Sequence, residues 1–149
     1  GLGVMGKKRD IKYHVTPKGL AEVCELQRQI VRVSADYVKP GGILLYSTCT
    51  IHAGENEEMA AFLRHTLGFE PVSLKGRLPE LVLEQKKLLE QKRREAGKTS
   101  GIGAEEQAAC LQLLPGYMQA DGFFIACFRR PSDGEAAGRS GKEECRDAE

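Results

Sequence analysis

The chain has 149 residues, 41% of them hydrophobic, and its 22 lysines and arginines against 21 acids leave a formal charge of +1. That is one domain's length with apolar content for a core, so wholesale disorder and dependence on disulfide or metal staples are excluded. No apolar run approaches the ~18 residues of a membrane span, and none follows the basic opening as in a secretory signal, so the chain is expected to be cytoplasmic and free of membrane.

The chain opens on Gly1-Leu2-Gly3-Val4-Met5-Gly6, glycine punctuation with no strand ahead of it, which is expected of the downstream piece of a longer protein. Lys7, Lys8, Arg9 and Lys12 then cluster beside Tyr13, readable as phosphate contacts or as a solvated loop. Thr16-Pro17 is a helix start, with Thr as N-cap and Pro in the first turn. Leu20, Val23, Leu26, Ile30, Val33 and Tyr37 follow as one apolar stripe, and Lys39-Pro40-Gly41-Gly42 ends the helix. Ile43 to Thr48 is a short run without alternation, expected to be a strand covered on both faces, as in a parallel sheet. Glu55, Glu57 and Glu58 mark the first turn of a second helix with Met59, Phe62, Leu63 and Leu67 on its buried face and Gly68 at its end. Phe69 to Leu74 reads as a weaker strand.

Residues 80 to 96 are strong helix formers, readable as a basic helix facing RNA or as a solvated surface helix with i,i+4 pairs. Gly97 to Gly103 reads as a loop. Cys110 to Leu114 and Gly122 to Phe128 suggest two closing strands joined by a turn at Asp121-Gly122. Residues 131–149 carry six acids and three bases with almost nothing to bury, so a disordered tail is expected there, after a body at 1–130 with a charge of +4. A mildly basic body permits contact with a polyanion without requiring it.

The five cysteines are odd in number and none has Cys-x-x-Cys spacing, so neither a disulfide framework nor a metal site is expected. Cys24 and Cys127 fall within element periodicity and read as core, Cys110 opens a strand, and Cys145 lies in the tail. Cys49 differs, because it ends the buried strand, and in open α/β sheets ligands bind at the carboxyl ends of strands. The positive end of the following helix favours a thiolate there, and the three glutamates in its first turn oppose it. Position leaves both a nucleophile and a small hydrophobe open. His52 invites a Cys-His pair but has no orienting acid identifiable from sequence, and His14 and His65 have weaker claims still.

An ordered set of segments resembles the RNA cytosine-C5 methyltransferases, above all the bacterial 16S small-subunit methyltransferase B (Sun/Fmu) type. The segments are Gly1-Leu2-Gly3-Val4, Asp10-Ile11-Lys12-Tyr13, Leu26-Gln27, Tyr37 to Gly42, Tyr46-Ser47-Thr48-Cys49-Thr50, Glu55-Asn56-Glu57, Leu113-Leu114-Pro115 and Asp121 to Ala126. The resemblance spans residues 1 to about 130 and implies α/β architecture, the C-terminal part of a Rossmann-like class I methyltransferase sheet. It also implies that Cys49 is the family's Thr-Cys nucleophile. Thiolate addition to cytosine C6 makes C5 enamine-like, able to take a methyl group from S-adenosylmethionine, and loss of the C5 proton and of the thiol restores the ring. The target base must leave its stack, which suits ribosomal RNA, 16S in this type, and a basic rim of Lys7, Lys8, Arg9 and Lys12 on its phosphates.

In the resembled family the adenosylmethionine loop, the ribose acid and the cytosine-facing Asp precede this Gly-Leu-Gly, so no cofactor-binding residue is expected in the chain. Activity is then expected of a longer enzyme and not of this piece alone. Gly54 stands where many members have an acidic or proline residue, and the charged stretch from Glu84 to Ala104 is longer than usual. The rival readings are a thiol hydrolase built on Cys49 and His52, and a non-catalytic RNA-binding or assembly module that kept the fold.

Overall fold

The computed structural model describes residues 2–8, 10, 13, 15–97, 101–116 and 120–132. Arg9, Lys12, His14, Cys145 and nearly all of the tail expected to be disordered lie outside the described residues. A 3-10 turn at Leu2–Val4 precedes helix α1 (Pro17–Asp36), strand β1 (Ile43–Thr48), a second 3-10 turn (Ala53–Glu55) and the short helix α2 (Glu57–Ala61). A π-helical turn (Phe62–Thr66), strand β2 (Glu70–Pro71), helices α3 (Glu80–Glu95) and α4 (Ala104–Ala109), and strands β3 (Cys110–Leu113) and β4 (Phe123–Arg129) complete the order.

The sheet is centred on β4, which pairs antiparallel with β1 on one side and with β2 and β3 on the other. The register sets Thr48 opposite Phe124 and Gln112 opposite the same Phe124, so the carboxyl end of β1 and the middle of β3 share one row. Phe124, Ala126 and Phe128 point to the face covered by α1, α2 and the π-turn, where Val31, Ala35, Met59, Leu63 and Phe69 complete the main core. A smaller cluster on the opposite face packs Leu74, Leu111 and Cys127 beside Val82 of α3.

Helix α1 starts as its sequence dictates: the Thr16 hydroxyl accepts from Gly19 N at 3.1 Å, and Pro17 opens the first turn. Arg130 closes its other end, donating to the carbonyls of Ala35, Asp36 and Val38 where the helix dipole favours a cation. The residues turned to the core are Cys24, Val31 and Ala35, whereas Val23, Leu26, Ile30, Val33 and Tyr37 of the apolar stripe lie exposed. Strand β1 is likewise covered on one face only. Ile43 is 50% and Leu45 64% exposed, and among the described residues β1 pairs with β4 alone, antiparallel rather than parallel. An apolar run reports which side chains favour burial; whether the same chain supplies the cover is a separate matter.

The second helix departs further from its periodic pattern. It is α-helical only from Glu57 to Ala61, continues as the π-turn and ends at Gly68. Its N-cap residue Asn56 has φ −116° and ψ −88°, and its side chain makes no cap bond because it is engaged elsewhere. The weaker strand shrinks to Glu70–Pro71, with Val72 N bonding Cys127 O beyond it. Helix α3 wraps the outer edge of β3: Lys86 donates to the carbonyls of Gln107 and Cys110, which protects an otherwise open edge.

Candidate functional site: the Cys49 loop

Cys49 follows directly on β1 and its side chain is exposed, in contrast to Cys24, Cys110 and Cys127, which are buried. Burial pushes the Cys24 and Cys127 thiols up from the ordinary value, and the Cys110 thiol up to about 12. The core assignment of Cys24 and Cys127 therefore agrees with the structure, and the exposed thiol among the described residues is the one at the strand end.

Two backbone segments clamp the loop from outside. Gly3 N donates to Cys49 O at 3.1 Å, and Gly122 N donates to Gly3 O at 2.9 Å. A Cβ on Gly3 would sit 2.1 Å from Gly122 O and 2.8 Å from Cys49 O, so glycine is required for this approach. The same clamp is joined by an ion pair of 2.9 Å between Lys7 and Asp121. Of the basic cluster, Lys7 and Lys8 are exposed beside this clamp, and Lys7 already has a carboxylate partner.

A buried polar network holds the loop from inside. Asn56, with no exposed surface, accepts from Thr48 Oγ1 at 2.6 Å and donates to Thr50 O at 3.1 Å and to Gln112 Oε1 at 2.8 Å. Glu55, also buried, accepts from Thr50 Oγ1 at 3.0 Å and from Gln27 at 2.9 Å, and its carbonyl accepts from Tyr46 OH at 2.7 Å. Burial, followed by the nearby Glu55 charge, pushes the Tyr46 hydroxyl well above its usual range, so it remains a donor.

His52 faces inward. Its Nδ1 lies 3.9 Å from Cys24 Sγ and 3.9 Å from Glu55 Oε1, and among the described residues no hydrogen bond joins it to Cys49. The acid nearest His52 is thus Glu55, beyond hydrogen-bond distance, and the thiol nearest it is the buried Cys24. Gly54 is explained here too: a Cβ would meet the His52 ring at 2.7 Å and Cys24 Sγ at 3.0 Å, leaving no room for an acid or a proline. His65 bonds Glu106 at 3.1 Å, away from this loop.

A cavity of about 240 Å³ lies under α3, between Lys86, Leu89 and Arg93 and the strand residues Cys110, Gln112 and Phe124. Arg93, on its rim, already pairs with Glu57 at 3.4 Å. The glycine turn at Leu2–Val4 is filled by the Gly122 and Cys49 backbone and offers no cradle for S-adenosylmethionine. No group of three or more His, Cys, Asp or Glu side chains among the described residues is arranged to hold a metal ion, and no helix is long and apolar enough to cross a membrane.

The sequence marks Asn56 within the Glu55-Asn56-Glu57 segment without giving it a role, and no motif marks Gln112. The available signal was a polar side chain at a core-facing position, since Gln112 alternates with Cys110 along an otherwise apolar strand.

Comparison with known proteins shows what the chain is similar to. The chain is 39% identical over 132 residues to a probable ribosomal RNA small subunit methyltransferase B of Bacillus subtilis, covering 87% of this chain and 25% of the relative. It is 28% identical over 138 residues to a ribosomal RNA small subunit methyltransferase F of Vibrio parahaemolyticus, covering 91% and 25%. The crystal structure of a methyltransferase homologue protein from Pyrococcus horikoshii superposes with a TM-score of 0.57 at 26% identity, covering 78% of this chain and 34% of that one. The chain thus spans about a quarter of the length of the sequence relatives it matches. The model of the 16S rRNA methyltransferase RsmB/F family matches residues 1–129, and the chain belongs to that family.

Proposed function

We propose that this chain is the nucleophile-bearing, C-terminal part of the catalytic domain of an enzyme that methylates cytosine C5 of 16S ribosomal RNA. Residues 1–130 form that part. The observation that carries the reading is an exposed thiol at the carboxyl end of β1, on a loop clamped from both sides, in a chain of this family.

The Cys49 thiolate adds to C6 of an unstacked cytosine; the S–C6 bond forms, the C5=C6 electrons move toward C5, and C5 becomes the electron-rich carbon that methylation needs. Loss of the C5 proton later drives the same thiolate off C6. S-adenosylmethionine is held by residues of the longer enzyme. Lys7, Lys8, Arg9 and Lys12 contact phosphates of the RNA. Support for this comes from the exposure of Lys7 and Lys8 beside the clamp on the Cys49 carbonyl. The exposed stripe of α1 and the unpaired edge of β1 are the surfaces on which the rest of the enzyme packs.

The test is methyl transfer to 16S rRNA by the longer enzyme. Cys49→Ala is expected to abolish turnover, whereas Cys24→Ala keeps much of it at a packing cost of about 1 kcal/mol. Full turnover in Cys49→Ala would end the reading.

A further inference from the structure

We propose that Gln112 is a positioning residue for Cys49, holding the loop that carries the thiol through Asn56. The inference rests on the reading of Cys49 as the nucleophile. Cys49 makes no side-chain hydrogen bond among the described residues, so its place relative to a bound base is set by its backbone. Each flank of that backbone leads to one pair of buried amides. Thr48 is held by its hydroxyl on Asn56 Oδ1, and Thr50 by its carbonyl on Asn56 Nδ2 at 3.1 Å. Asn56 and Gln112 are in turn bonded to each other at 2.8 Å.

Gln112 also reaches the outer clamp. Its Nε2 donates to Leu113 O and to Phe123 O, both at 3.0 Å, which fixes the chain on either side of the connection that presents Gly122 to Gly3. Gly3 in turn holds the Cys49 carbonyl. One side chain, far along the sequence from the thiol it serves, therefore joins the inner network and the outer clamp. A primary amide is needed, since the site asks one group to accept from Asn56 and to donate to carbonyls. Gln112→Met keeps the side chain's length but strands Asn56 Nδ2 and the Leu113 and Phe123 carbonyls, which costs stability, so a packing role predicts a lower melting point with kcat held and a positioning role a loss of kcat below it.

The experiment is steady-state methyl transfer to 16S rRNA by the longer enzyme, at temperatures well below each variant's melting point. It compares Gln112→Met, Thr48→Val and Leu111→Val; Leu111 neighbours Gln112 on β3 but packs in the cluster on the opposite face. Gln112→Met is expected to lower kcat about 30- to 100-fold, the scale of a misplaced reacting group, with KM for RNA within about threefold. Thr48→Val, which removes one bond and buries no new charge, is expected to lower kcat about 5- to 20-fold. Leu111→Val is expected to lower the melting point and keep kcat within about twofold. If Gln112→Met does not fold, Gln112→Asn, which keeps the amide but draws it back from Asn56 and the two carbonyls, decides in its place, with a loss of kcat expected and an unchanged kcat overturning the proposal. Melting points that fall while kcat holds in the Gln112 or Thr48 variant would overturn the proposal and leave Cys49 as nucleophile. Turnover by Cys49→Ala would instead remove the reading beneath it, and the proposal with it.

Discussion

Replacing Gly3 by alanine tests the outer clamp where the geometry leaves least freedom. The added Cβ would lie 2.1 Å from Gly122 O and 2.8 Å from Cys49 O, and both are backbone atoms that cannot swing aside. Segments must therefore separate, which stretches the Gly3 N–Cys49 O bond of 3.1 Å and the Gly122 N–Gly3 O bond of 2.9 Å. Two hydrogen bonds at about 1 kcal/mol each, with about 1–3 kcal/mol of overpacking strain, give a loss of about 3–5 kcal/mol. That is a large share of the about 5–15 kcal/mol that holds a domain together. At Gly6, in the same opening segment, an added Cβ would meet nothing within 4 Å, and alanine there should change stability by no more than about 0.5 kcal/mol. Urea unfolding followed by circular dichroism separates the two: at a slope of about 1–2 kcal/mol per molar, Gly3→Ala moves the midpoint by about 1.5–5 M and Gly6→Ala leaves it in place. Coincident midpoints would refute the clamp.

Three further outcomes are expected. Leu26→Gln and Ile30→Gln should be neutral within about 0.5 kcal/mol in the 149-residue chain, where both residues are 56% exposed, but cost about 1–2 kcal/mol each in the longer enzyme; neutrality in both would deny that the rest of the enzyme covers α1. Burial raises the Cys110 thiol from 9.0 to about 12, so the native state holds that proton more tightly than the unfolded chain does. The resulting stability is complete below about pH 9 and is lost as pH climbs from there toward about 12, by at most about 1.4 kcal/mol per pH unit. The stability gap between the parent and Cys110→Ala should therefore narrow above about pH 9, and a constant gap would contradict the burial of that thiol. Neutralising Lys7 and Lys8 to glutamine should weaken binding of all RNAs alike and reduce the salt slope by about 0.7 for each phosphate that loses its cation; an unchanged slope would make the cluster a solvated loop.

The elements of the fold were legible wherever local chemistry decides them. Thr16 and Pro17 start α1, Gly41 and Gly42 separate it from β1, and the apolar Phe123 to Phe128 run becomes the central strand β4. What sequence did not carry was the partner of each surface. The α1 stripe has ideal spacing for burial and is exposed, because its spacing records an apolar preference and the covering surface is not among the described residues. Cys49 stood out through its place after a buried strand and through the ordered motifs around it. Asn56 appeared there only as part of the Glu55-Asn56-Glu57 segment, and its pairing with Gln112 did not show at all, because that hydrogen bond joins positions 56 residues apart and neither local periodicity nor turn chemistry reports it. Glu55 was read as a charge at a helix start, whereas its burial makes it an acceptor for Thr50 and Gln27.

The covalent adduct is the most direct test of the central claim. 16S rRNA carrying 5-fluorocytosine traps the C6 adduct, since fluorine at C5 does not leave as a proton does. Incubated with the longer enzyme and its methyl donor, digested and sequenced by mass spectrometry, the trapped nucleotide should be found on the peptide carrying Cys49. An adduct on any other cysteine, on His52, or no adduct during active turnover on unmodified RNA would contradict the account.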